Sequence, residues 1–174
     1  MHEITPYHGR LLTFTVDTAQ APLRVIAAYA PHNAHDLATR QDFWTQVEDL
    51  VDATPASTTL MVIGDLHTHA TGDAGDVGSL AGAQACPFQD TQADDNSELL
   101  ADLMRRKELC FPQAWLDKAH HKTWTHLRPP GEEVQLGHVL IHRAWGGAIQ
   151  NITTDSTAGL NSNHKLVIST LHIR

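Results

Sequence analysis

Hydrophobic and polar positions along the chain switch between two periods, and the switches mark its elements. The runs "RLLTFTV" (10–16) and "LRVIAAYA" (23–30) are rich in β-branched and apolar residues. Between them "DTAQAP" carries an Asp and a Pro that favour a turn, so the two runs are predicted to pair antiparallel. From Asp36 to about Ala53 the residues Phe43, Val47 and Val51, with Trp44 and Leu50 beside them, recur at helical spacing, which predicts an amphipathic helix packed on a sheet. "TTLMVIG" (58–64) is apolar almost throughout, as expected of a central strand covered on both faces. Residues 66 to about 95 show little periodic hydrophobicity and are rich in Gly, Asp, Ala and Gln, the composition of a long loop that is either functional or mobile. "DDNSELLADLMRRKEL" then reads as a helix with an Asp or Asn cap, an acidic first turn, Leu99/Leu103 and Leu100/Met104 on one side, and Arg105, Arg106 and Lys107 as a solvated last turn. "KTWTHL", "VQLGHVLIHR" and "HKLVISTLHIR" are predicted as closing strands, with no internal repeat anywhere.

At 174 residues and 41% hydrophobic content the chain suits one domain, 1–174, with a real core. The opening "MHEITPYHGR" has no apolar core of signal-peptide type, and no run approaches the roughly 20 apolar residues that span a bilayer. A soluble, intracellular protein with no membrane partner is the expectation. Cys86 and Cys110 lie in unrelated contexts, so buried or idle thiols are expected rather than a disulfide framework. The net charge of −8 opposes any polyanion unless metal ions or a local basic patch intervene. The 13 histidines are dispersed except for "HTH" and "AHHK".

Candidate chemistry concentrates in "LMVIGDLHTHATGD" (60–73). An apolar strand followed by D-x-H-x-H sends Asp65, His67 and His69 toward one face, a ligand pattern for Zn²⁺ or Mn²⁺. That motif resembles the first metal motif of the polymerase-and-histidinol-phosphatase family. Such barrels need about 250 residues, and here two strands and a helix already precede the motif. Within the loop "GDAGDVG" lacks the ligand spacing and closing Glu of a calcium loop.

The order of the remaining blocks points elsewhere. "VIAAYAPHNA", "RQDFWTQVEDL", "LMVIGDLHTHA", "NSELLADLM", "KTWTHL", "VQLGHVLIHRAW" and "NSNHKLVISTLHI" together resemble the endonuclease/exonuclease/phosphatase superfamily, of deoxyribonuclease I-like fold, and within it the endonuclease domains of non-long-terminal-repeat retroelements. The resemblance runs from about residue 10 to residue 174. It implies an α/β (α+β) two-layer β-sandwich flanked by helices. It also implies Mg²⁺-dependent phosphoester hydrolysis by in-line water attack, with DNA or another phosphodiester as partner. By the same resemblance Asp65 would be the water-activating, metal-binding carboxylate. His67 would stand where an Asn contacts phosphate, Tyr29 would bond on the phosphate side, and His164 would be the catalytic histidine of the Ser162-Asn163-His164 block.

Three departures accompany these matches. Gly137 stands where the family has an Asp that orients the histidine, leaving His164 without its partner. Asn163 replaces a metal-binding Asp and weakens that ligand. The family's first portion, which carries a metal-binding Glu, has no equivalent in "MHEITPYHGR", so the sandwich is expected to lack its first strands and to expose a sheet edge suited to self-association. Three readings follow: a catalytically impaired phosphodiesterase or nuclease with Mg²⁺ (or Mn²⁺ or Zn²⁺, or no cofactor); a noncatalytic retroelement remnant or binding module; and a histidine-rich metal site of Asp65, His67 and His69, joined by His138 or His164.

Overall fold

The computed structural model describes residues 5–7, 9–68, 95–116, 119–157 and 161–173. Strands β1 (Thr5–Tyr7), β2 (Leu11–Val16) and β3 (Leu23–Tyr29) form an antiparallel meander. Helix α1 (Leu37–Asp52) then carries the chain to β4 (Thr59–Asp65), which runs parallel to β3 as a βαβ unit requires. Helix α2 (Asp95–Arg106) leads to β5 (Leu109–Cys110), the hairpin β6 (His126–Arg128) and β7 (Glu132–Val134), then β8 (Gly137–His142), β9 (Ile149–Asp155) and β10 (Leu166–Leu171). The first sheet has the order β1-β2-β3-β4-β8-β5, with β4 near its centre, and β9 and β10 form a second, antiparallel sheet.

The alternation of side chains builds two cores on the two faces of the first sheet. Ile26, Ala28, Leu60 and Val62 face Phe43, Trp44 and Val47 of α1 and Leu100, Leu103 and Met104 of α2. On the other face Met61, Val139 and Ile141 meet Ile149 and Ile152 of β9, with Trp145 packed against them. The layers are therefore helices, six strands and two strands, an α/β sandwich flanked by helices, and β4 is covered on both faces as its apolar run implies. Asp36 starts α1 by accepting from the Thr39 N–H at 2.9 Å. The basic end of α2 is more than a solvated helix end: Arg106 donates two bonds to Glu48, at 3.1 and 2.8 Å, and Lys107 reaches Asp52 at 2.8 Å, tying α2 to α1.

Three expectations change. "KTWTHL" contributes only its end to β6, because residues 120–122 turn as a 3-10 helix. "VQLGHVLIHR" is two strands rather than one, broken where the Thr125 hydroxyl accepts the N–H groups of Leu136 and Gly137, both at 2.8 Å. Strands β1, β5 and β9 carry too little apolar alternation to be read from sequence; β9 is "IQNITTD". Cys110 is buried, and burial pushes its thiol up to about 11, which suits an inert core residue. Cys86 and most of the Gly/Asp-rich loop lie outside the described residues.

Leu12, Leu23, Val25 and Ala27 face a cavity of about 770 Å³ whose far wall is Val167, Ser169 and Leu171 of β10. One end of this trough opens onto the polar site.

Candidate functional site

Register places the site. Tyr29 pairs with Asp65 across β3 and β4, and Asp65 pairs with Gly137 across β4 and β8, so three consecutive strands bring these positions abreast at one sheet edge. Neighbouring register partners share a face. Tyr29, Asp65 and His164 all line the polar end of the trough, together with Arg10 and Lys165. Asp65 is the one carboxylate among the described residues that line it.

The two residues around Asp65 bend the chain sharply. Gly64 has φ +142°, and a Cβ there would lie 1.9 Å from the backbone oxygen of Ala28. His67 has φ +44°, an unusual value for a side chain-bearing residue, held because the Asp65 Oδ1 accepts its N–H at 3.1 Å. The turn brings the His67 Nε2 to 3.6 Å from the Asp65 Oδ2. His164 arrives from the other side, its Nε2 3.8 Å from the same oxygen. The Asp65 Oδ2 and His67 Nε2 are both enclosed and without a hydrogen-bond partner.

His164 is fixed through its backbone. Its N–H donates to the Ser162 Oγ at 3.1 Å, the flanking Asn163 carbonyl accepts from Leu127 at 2.9 Å, and the Lys165 N–H donates to the Thr125 carbonyl at 2.8 Å. The His126 ring packs against it, tilted by 47°, with centroids 4.4 Å apart. At Gly137, where the family resemblance leads one to expect an acid, an added Cβ would press on the Thr125 side chain at 3.3 Å. His164 nevertheless faces a carboxylate, that of Asp65, across 3.8 Å. Asn163 is exposed and lines a recess of about 130 Å³ with Trp124 and Asp155, which shares His164 and Lys165 with the trough. His138 is buried, its Nε2 2.9 Å from the Thr68 carbonyl and its ring against Phe111, so it does not join the cluster. His69 lies outside the described residues.

Imidazoles crowd this edge. His67 stands 5.4 Å from the Tyr29 ring and 5.9 Å from His32, which contacts His35 at 4.5 Å. Burial holds the His67 pKa below the ordinary histidine value, Asp65 raises it in part, and His32, His164 and His126 lower it again. His126 is likewise lowered, first by burial and then by His164. For a histidine depressed on folding, the unfolded chain takes up the proton first. Stability is thus full above about pH 6.5 and falls as pH drops through that value toward the folded-state pKa. A thermal melt at pH 5.5 is expected below one at pH 7.5, and the difference should narrow in His67→Gln; an equal difference in both would assign the effect to other groups.

Asn96, at the start of α2, is a residue whose role sequence reading missed. It is fully buried, donates to the Pro31 carbonyl at 2.8 Å and to the His67 carbonyl at 3.2 Å, and its Oδ1 is 3.5 Å from the Trp44 indole nitrogen. It clamps the β4 turn against both helices. Asn96→Ala strands two buried carbonyls and is expected to cost about 1–3 kcal/mol in a urea titration. A loss under about 0.5 kcal/mol would mean that water replaces the amide.

The donor set does not match a protein-built Mg²⁺ cage. Mg²⁺ demands octahedral oxygen ligands, whereas among the described residues this edge offers one carboxylate among imidazoles, which suit softer metals. Among the described residues no group of three or more His, Cys, Asp or Glu is gathered closely enough to hold an ion.

No family model and no curated protein sequence matches the chain. Solved structures do. The chain is similar to a 3′ phosphatase from Neisseria bound to product DNA hairpin, with TM-score 0.65 and 14% identity over 94% of this chain and 65% of that one. It is similar to the endonuclease domain of a telomere-specific non-LTR retrotransposon, with TM-score 0.62 and 12% identity over 99% of this chain and 69% of that one. It is also similar to an AP endonuclease from Leishmania major, with TM-score 0.63 and 14% identity over 95% of this chain and 55% of that one. The fold is thus of the endonuclease/exonuclease/phosphatase type, and the chain spans about 65% of the length of the Neisseria phosphatase.

Proposed function

We propose that the chain is a phosphoester-binding domain of this nuclease and phosphatase fold, impaired in Mg²⁺-dependent hydrolysis, whose residual chemistry belongs to His164 backed by Asp65. The observation that carries this reading is the Asp65 Oδ2 3.8 Å behind the Nε2 of a half-exposed His164, at the polar end of the trough. Both Asp65 oxygens face protein: Oδ1 holds the His67 N–H, and Oδ2 is enclosed. A carboxylate so placed is poorly disposed to deprotonate a water from open solvent. It is well disposed to fix an imidazole and stabilise its protonated form. His164 then accepts the proton of a water as its oxygen bonds to phosphorus, and the departing ester oxygen takes a proton from solvent. Arg10 and Tyr29, on the same wall, contact the phosphate.

DNA is the natural first substrate, since the phosphatase above was solved with it. The test is nicking of supercoiled plasmid in Mg²⁺, Mn²⁺, Zn²⁺ and chelator separately, with Asp65→Ala and His164→Ala. Weak nicking that depends little on the cation and is lost in both variants supports the reading. No nicking, or nicking that survives both variants, leaves the noncatalytic module. The apolar trough along β2 and β3 also favours self-association, which a concentration-independent monomer in sedimentation equilibrium would rule out.

A further inference from the structure

An imidazole that accepts a proton must be held in one orientation. The Asp65 carboxylate draws the His164 ring toward it, yet 3.8 Å from Oδ2 to Nε2 is longer than a hydrogen bond and does not by itself stop the ring from turning away. A second restraint comes from β6 and the residue before it. Thr125 is buried and fastened to its neighbours: its N–H donates to the Val134 carbonyl at 2.9 Å, and its hydroxyl accepts from Leu136 and Gly137. Its carbonyl accepts the Lys165 N–H at 2.8 Å, and the next residue, His126, forms an antiparallel bridge with His164. Residues paired across such a bridge project to the same side, so the two imidazoles meet at 4.4 Å between centroids.

His126 is poorly placed to exchange protons itself. Its Nδ1 is enclosed without a hydrogen-bond partner, so a proton there would be a buried donor with no acceptor. Burial first, and His164 second, hold its pKa below the ordinary histidine value. At neutral pH the ring is therefore an uncharged plate against His164.

We infer that His126 is a positioning residue of this site, its neutral ring holding the His164 imidazole with Nε2 toward Asp65 while taking no part in proton transfer. The inference rests on the proposed function and adds to it the residue that orients the base. Since shape and neutrality are all that this role requires, a phenyl ring should serve as well as the imidazole.

The experiment pairs kinetics with a readout that needs no substrate. In the plasmid-nicking assay His126→Ala should lower kcat about tenfold with KM unchanged, because a ring free to turn is less often aimed, whereas His126→Phe should stay within about twofold of the wild type. His126→Gln, which keeps a polar group and loses the ring, should behave as His126→Ala does, and it carries the comparison if the alanine variant folds poorly. In proton NMR without substrate, the His164 ring signals should carry the ring-current shift of a packed neighbour, with nuclear Overhauser contacts to it, in the wild type and in His126→Phe. Both should disappear in His126→Ala and His126→Gln. Equal rates in all four proteins, a loss in His126→Phe as large as in His126→Gln, or a wild-type spectrum without contacts between the two rings overturns the inference. A wild type that does not nick removes the proposed function, and the ring signals then still decide whether His126 holds His164.

Discussion

Gly64→Ala is expected to lower the thermal midpoint by on the order of 10 °C or to prevent folding. Gly64 pairs with Ala28 across the parallel β3–β4 ladder, and its φ of +142° is a region that residues bearing a Cβ rarely adopt. A methyl group would lie 1.9 Å from the Ala28 carbonyl oxygen, which is backbone and cannot swing aside. Backbone strain of this kind costs about 1–3 kcal/mol by itself, and relieving the overlap by parting two central strands adds a similar amount. In a chain of this length each kcal/mol corresponds to about 2–4 °C. Since Gly64 immediately precedes Asp65, any surviving fold should also have a displaced carboxylate. Circular dichroism melts decide the point: a midpoint within about 2 °C of wild type would mean that the strands do not approach this closely.

Gly64 also shows what was legible beforehand. The central strand and the turn after it follow from an apolar run ending in Gly-Asp, and α1 follows from Phe43, Val47 and Val51 at helical spacing with Asp36 as cap. These are local signals. The resemblance of ordered blocks supplied the sandwich, which propensity alone would not have given. What escaped depends on distant pairings. Thr125 fills the space beside Gly137 and its hydroxyl accepts the Gly137 N–H, and nothing in "KTWTHL" announces it. Asn96 reads as a helix cap, yet its amide spans 65 residues to Pro31. Arg10, His32 and His35 read as scattered polar residues until β2, β3 and the following turn gather them at one edge. The neighbours of Asp65 divide in the same way: His67 lies two residues along and is legible in "GDLH", whereas His164 comes from the other sheet's approach, far along the chain, and no local signal pairs it with Asp65.

Asp65→Asn should have the largest effect on chemistry, a loss of about 10²–10⁴ in the rate of phosphoester cleavage with the fold retained. The substitution keeps volume, and its side-chain carbonyl can still accept the His67 N–H, so the strained turn at φ +44° survives. What disappears is the negative charge that His67 and His164 face at 3.6 and 3.8 Å. An imidazole acting as proton acceptor must become positive in the transition state, and an uncharged amide behind it neither stabilises that form nor fixes the ring, the kind of loss that general acid–base assistance typically accounts for. The same substitution has a signature that misfolding would not imitate. Asp65 is the group that raises the His67 pKa against burial and three neighbouring imidazoles, so in Asp65→Asn the His67 titration should move further down. Proton NMR of the imidazole signals follows it directly. A rate unchanged by Asp65→Asn, with His67 shifted downward as expected, would show that the carboxylate tunes the cluster without taking part in cleavage, and His164 would then act alone or not at all.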